Sequence, residues 1–130
     1  SSDVCSSDLL GIGTAASGTS GEIRATSAIT SYYSDERLKE NIALISNALD
    51  KVMTLRGVTY QPNSIAESYG YKKENLVGVL AQDVEKVLPE VVAIREDGYK
   101  AVRYEKMAGL IIQAINELSE QVKDLKDKVQ

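Results

Sequence analysis

Apolar residues recur every three or four positions through the C-terminal stretch, at Ala108, Ile111, Ile115, Leu118, Val122, Leu125 and Val129. Lys, Glu, Asp and Gln fill most of the positions between them. This heptad spacing commits the segment from about Tyr104 onward to a long α-helix. After Leu118 only the narrow a/d stripe is apolar. A narrow stripe suits a seam between helices better than the broad face of a helix lying on its own domain. The seam residues are Ile111, Ile115, Leu118, Val122, Leu125 and Val129. The pattern alone does not set the number of strands, and Ile or Val at a with Leu at d leans toward two.

The rest of the chain must fold around that helix with modest means. At 130 residues it is one domain or less, and a chain of that length buries a small core. Phe and Trp are absent, and seven tyrosines supply all the aromatic surface. The tyrosines are expected to cover core and interface. The fold expected is α+β, with short strands and small helices ahead of the long helix. Residues 10–20 read as a Gly/Ser/Thr-rich loop or linker, and residues 22–33 as a strand that cannot cover its own apolar face. Residues 37–45 read as a strand. Ser46 then serves as the N-cap of a helix carrying Ala48, Leu49, Val52, Met53 and Leu55, with Gly57 at its stop. Strands are expected over 57–61 and 76–80, with a polar loop between. A two-turn helix over 81–88 is halted by Pro89. Residues 91–95 and 99–103 flank Glu96-Asp97-Gly98, a hairpin signal.

Ser1 to Leu9, SSDVCSSDL, resemble one reading frame of a sequencing adapter and are set aside from fold reasoning; the alternative is a serine-rich linker. The net charge is −4, and it becomes −2 without Asp3 and Asp8. Neither value, with no basic cluster, favours nucleic acid or an anionic membrane surface as partner. No run of apolar residues is long enough to span a bilayer, and the polar, acidic start is unlike a signal peptide. Cys5 is the single cysteine. No disulfide, metal site or cofactor is expected.

The chain contains no histidine, which excludes Ser-His-Asp chemistry. The string Ser34-Asp35-Glu36-Arg37-Leu38-Lys39-Glu40-Asn41-Ile42 offers another arrangement, with a serine hydroxyl and a lysine amine five residues apart. A lysine acts as general base only where burial favours its neutral form. Spacing by itself is weak, because a turn at Ser34 with a solvated Lys39 fits it equally well. Carboxylate pairs such as Glu36 with Glu40, or Asp83 with Glu85, bring glycosidases to mind. Those enzymes need two carboxylates flanking a cleft, and no aromatic sugar platform is evident.

Four blocks occur in order: SDERLKENI, SNALDKVMTLRGVTY, LVGVLAQDVEKVLPEVV and DGYKAVRYEKMAGLIIQAINEL. Together, from about Ser34 to Leu118, they resemble the C-terminal intramolecular chaperone domain of bacteriophage tailspikes and tail fibres, the endosialidase-type family of self-cleaving serine peptidases. The resemblance implies a homotrimer whose C-terminal helices form a trimeric coiled coil. It implies cleavage immediately before the motif serine, at Tyr33–Ser34, with Ser34 as nucleophile and Lys39 as base. Asp35 and Asn41 flank the dyad; either could orient Lys39, and a surface turn explains both as well. Backbone amides near Gly78 or from a neighbouring subunit are candidates for an oxyanion hole, and Gln82 is expected to be structural. The domain order implied, after the adapter-like residues 1–9, is the end of the upstream shaft over 10–33, chaperone and auto-processing domain over 34–106, and coiled-coil helix over 107–130. The partner is the fibre shaft of the same chain, in a virion tail precursor assembled in the bacterial cytoplasm. The alternative is a permanent trimeric cap that never cleaves.

Overall fold

The computed structural model describes residues 9–18, 21–30 and 33–129. Cys5 and the adapter-like string, Leu9 apart, lie outside these residues, as do residues 31 and 32 of the strand expected over 22–33. The chain divides into two compact units, Ser1–Ile42 and Ala43–Gln130.

In the first unit, strand β1 (Leu10–Ile12) pairs in parallel with β2 (Ile23–Ala25), Leu10 opposite Ile23 and Ile12 opposite Ala25. The expected loop over 10–20 therefore begins as a strand. Glycine hides it from a propensity reading, yet Gly11 is required there: a Cβ would lie 2.4 Å from the carbonyl oxygen of Thr14. The expected strand over 22–33 is only three residues long. None of the described residues of this unit is buried, as a short ladder with no covering layer dictates.

The second unit holds helix α1 (Ala48–Thr54), strand β3 (Val58–Tyr60), helix α2 (Ser64–Ser68), strand β4 (Leu76–Gly78), helix α3 (Ala81–Val87), strands β5 (Val92–Ile94) and β6 (Lys100–Val102), and helix α4 (Ala108–Val129). β3 and β4 pair antiparallel, as do β5 and β6. The β5–β6 turn is the one predicted. Gly98 adopts φ 87°, where a side chain would be strained, and Asp97 accepts a hydrogen bond from the Tyr99 amide at 3.0 Å. α2 was unexpected; Asn63 caps it by accepting from the Ala66 amide at 3.0 Å. A 3-10 turn over Tyr104–Met107 leads into α4.

The core consists of Ala48, Val84, Leu88, Val91, Met107, Leu110 and Ala114. It lies where α1, α3 and the first turns of α4 meet. On α4 the buried positions are Leu110 and Ala114. The seam residues face elsewhere: Ile111, Ile115, Leu118, Val122, Leu125 and Val129 are all exposed in the single chain. The two stripes are offset by one residue, or about 100° around the helix. The described tyrosines do not build the core. Tyr33, Tyr60, Tyr69, Tyr71, Tyr99 and Tyr104 are all exposed, because aliphatic side chains already fill the small interior.

The helix expected after Ser46 is present, but its cap differs. Asn47 occupies the cap position in a left-handed conformation (φ 51°) and makes no side-chain cap bond. The carboxylate of Glu117, on α4, takes that role. It accepts from the amides of Ala48 at 3.1 Å and Leu49 at 3.0 Å.

Candidate active site

The strand expected over 37–45 is replaced by a single 3-10 turn, Glu36–Leu38, followed by irregular chain. Asp35 sets that turn. Its carboxylate accepts from the Arg37 amide at 2.9 Å, and the Arg37 guanidinium closes on the same group at 2.8 Å. A local aspartate cap of this kind competes with extended structure. The turn is completed by bonds from the Leu38 amide to the Asp35 carbonyl and from the Lys39 amide to the Glu36 carbonyl, both 3.1 Å. Asn41, at φ 55°, then turns the chain again; asparagine tolerates that left-handed conformation better than most residues.

The turn folds Lys39 back over Ser34. The Lys39 Nζ donates to Ser34 Oγ at 3.0 Å. Nucleophile and base candidates are thus within proton-transfer reach. Both are exposed, as is Tyr33. Asp35 is engaged by Arg37 rather than by Lys39. The hydrogen bonds from the Arg37 guanidinium, and then from its amide, hold the Asp35 carboxyl below its ordinary value. The sequence signal for this pairing is the Asp-x-Arg spacing of Asp35 and Arg37.

The other singled-out residues lie in the second unit. A Cβ at Gly78 would lie 2.9 Å from the Tyr104 hydroxyl, so glycine leaves room for that ring. The Val79 amide donates to the same hydroxyl at 3.5 Å. Gln82 is exposed on α3 and lines an open groove with Tyr60, Tyr71 and Tyr104. Of the acidic pairs weighed for glycosidase chemistry, Asp83 and Glu85 are each held in an ion pair. Asp83 is bound by Arg56 at 2.9 Å, and Glu85 by Lys100. The Arg56 hydrogen bond holds the Asp83 carboxyl below its ordinary value. No group of three or more Cys, Asp or Glu among the described residues could hold a metal ion. No described helix is long and apolar enough to cross a membrane.

Residues 34–93 match the family model described as chaperone of endosialidase, beginning at the serine of the dyad. By this match the chain carries a domain of the chaperone-of-endosialidase type. That family is named as a peptidase. Long tail fibre proteins are among its relatives. The chain is 42% identical over 101 residues to the long tail fibre protein Gp37 of Enterobacteria phage K3, covering 74% of this chain and 8% of that protein. The corresponding protein of Enterobacteria phage M1 is 43% identical over 98 residues, covering 72% of this chain and 38% of the relative. That of Salmonella phage S16 is 37% identical over 107 residues, covering 74% and 14%. The chain therefore spans well under half the length of these relatives.

Proposed function

We propose that this chaperone domain folds and aligns the C-terminal end of a phage tail fibre and then releases itself by cutting Tyr33–Ser34. The observation that carries the reading is the 3.0 Å contact between Lys39 Nζ and Ser34 Oγ, at the first residue of the family match. Neutral Lys39 takes the hydroxyl proton as Ser34 Oγ attacks the Tyr33 carbonyl. The acyl group moves from nitrogen to oxygen, and the amine that leaves receives the proton. Water then hydrolyses the ester, giving a Tyr33 carboxylate and the regenerated Ser34 hydroxyl. Attack within one chain needs no substrate binding. The domain boundaries in this reading are shaft to residue 33, processing domain over 34–106 and helix over 107–130.

Assembly supplies what a single chain lacks. Ser34 and Lys39 are exposed, whereas a lysine base needs a desolvated setting. In this reading three copies join through the exposed seam of α4, and neighbouring copies cover the dyad. Cleavage then reports that the fibre has assembled. Release makes assembly one-way, since the separated shaft cannot reverse its folding through the chaperone. The product is a virion component, built in the host cytoplasm. The exposure of both side chains is also the observation that favours the second reading, a trimeric cap that never cleaves.

The experiment is the intact mass of the chain with its upstream repeat restored, for wild type and Ser34→Ala. Wild type is expected to yield a fragment beginning at Ser34, and the alanine variant none. Uncut wild type in the assembled state supports the permanent cap; a cut alanine variant removes Ser34 from the mechanism.

A further inference from the structure

The contact between Glu117 and the start of α1 joins the two stripes of α4. Met107, Leu110 and Ala114 are buried against the body, and Glu117 continues their spacing by one more step. Ile111, Ile115 and Leu118 run beside them on the exposed face. Each Glu117 oxygen accepts from a different amide, Oε2 from Ala48 and Oε1 from Leu49. A carboxylate held through both oxygens cannot swing sideways without losing one bond. On the other side, α1 has no cap of its own, because the Asn47 side chain makes none. Ala48 is fully buried, so its amide has little access to water as a substitute acceptor.

We propose that Glu117 is a positioning residue that fixes the rotation of α4 on the body, so that a single carboxylate both starts α1 and sets which face of the long helix is offered to other copies. The capping half stands on the geometry of one chain. The second half rests on the seam being an interface, as proposed above. Rotating α4 by one residue's worth, about 100°, would bring Ile111 and Ile115 toward the body and carry Leu110 and Ala114 out. Apolar contacts alone discriminate poorly between two such stripes, since both are apolar at the same spacing. Glu117 breaks that near-equivalence, because Leu118 in its place could accept no hydrogen bond.

The test uses the full chain with its upstream repeat and three variants. Glu117→Gln keeps the shape but presents an amide NH2 donor where one acceptor oxygen was. Glu117→Asp retains the charge on a shorter stem. Glu120→Gln is a control on an exposed site of the same helix. Hydrogen exchange at the Ala48 and Leu49 amides is expected to quicken at least tenfold in Glu117→Gln, less in Glu117→Asp, and not in the control. Unchanged exchange at both amides overturns the capping half. Mass in solution over a range of concentrations reads the second half. Glu117→Gln is expected to lose the single assembled species of wild type, giving a mixture or a lower mass. An identical assembly curve overturns the rotational role. A wild type that stays monomeric at every concentration refutes the trimer and the rotational role with it, while the exchange result still decides the cap.

Discussion

Leu110 and Ile115 sit on the same helix a little over one turn apart, and truncating each to alanine separates the two stripes of α4 energetically. Leu110 is 0% exposed and packs among the seven buried core residues. Leu→Ala at such a site costs about 2–5 kcal/mol, from lost transfer energy and the cavity left behind. A unit of this length has a total stability of roughly 4–13 kcal/mol, at about 0.05–0.15 kcal/mol per residue. The Leu110→Ala loss is thus a large share of the whole, at any protein concentration. Ile115 is 59% exposed in the single chain. Its truncation there costs no more than about 0.5 kcal/mol. If the seam closes against other copies, the same truncation costs on the order of 2–5 kcal/mol per chain, and only where the copies are associated. Urea unfolding across a hundredfold range of protein concentration reads both. The Leu110→Ala variant is expected to lose stability relative to wild type by the same amount throughout. The Ile115→Ala deficit is expected to vanish on dilution to monomer and grow as concentration rises. A concentration-independent Ile115→Ala cost as large as that of Leu110→Ala would refute the reasoning, since it means that the seam packs on its own body.

Lys39→Arg is expected to abolish the fragment beginning at Ser34 while leaving assembly intact, because arginine keeps the charge but does not deprotonate; normal cutting in a mass spectrum makes Lys39 an electrostatic residue only. Aspartate at both Leu118 and Leu125 is expected to separate the copies by placing unpaired charge in the seam, and fragment yield should fall with the mass in solution; a monomer that cuts at the wild-type rate contradicts coupling. Glu117 is held below its ordinary value of 4.5, first by the Leu49 amide and also by the Ala48 amide, the Gln113 side chain and the charge of Lys51. A depressed carboxylate contributes stability above its unfolded-state value and loses it as pH falls through the folded-state value. The melting temperature should therefore drop as pH is lowered from 4.5, with a shallower drop in Glu117→Gln; identical pH profiles would argue against the cap. Arg56→Ala removes the partner of Asp83, and the reverse shift of that carboxyl toward its ordinary value should be visible by NMR titration.

The long helix and the β5–β6 hairpin were legible because each is announced by local chemistry: heptad spacing in one, Glu96-Asp97-Gly98 in the other. The short helices around Leu49 and Val84 were legible for the same reason. The segment 37–45 was not. Its loose apolar alternation imitates a strand, while Asp35 and Arg37 close a turn that no periodicity reveals. β1 was hidden by Gly11, whose value lies in close approach to the Thr14 carbonyl rather than in propensity. The α1 cap was assigned to Ser46 because caps are usually local, whereas the actual acceptor is 69 residues away in sequence. At the candidate site, the serine and lysine could be named from the sequence, with resemblance adding weight that spacing lacked. The engagement of Asp35 by Arg37 follows from the 3-10 turn, which no periodicity announces.

Beyond Glu117, α4 has no buried residue among those described, and this divides the helix into two regimes of evolutionary freedom. Upstream, a deletion of even one residue would take Glu117 away from Ala48 and exchange the stripes. Downstream, whole heptads can be gained or lost without disturbing the body, since seven residues return the same face. The length of α4 can thus change by whole heptads after Leu118, while everything before it is held in register by Glu117.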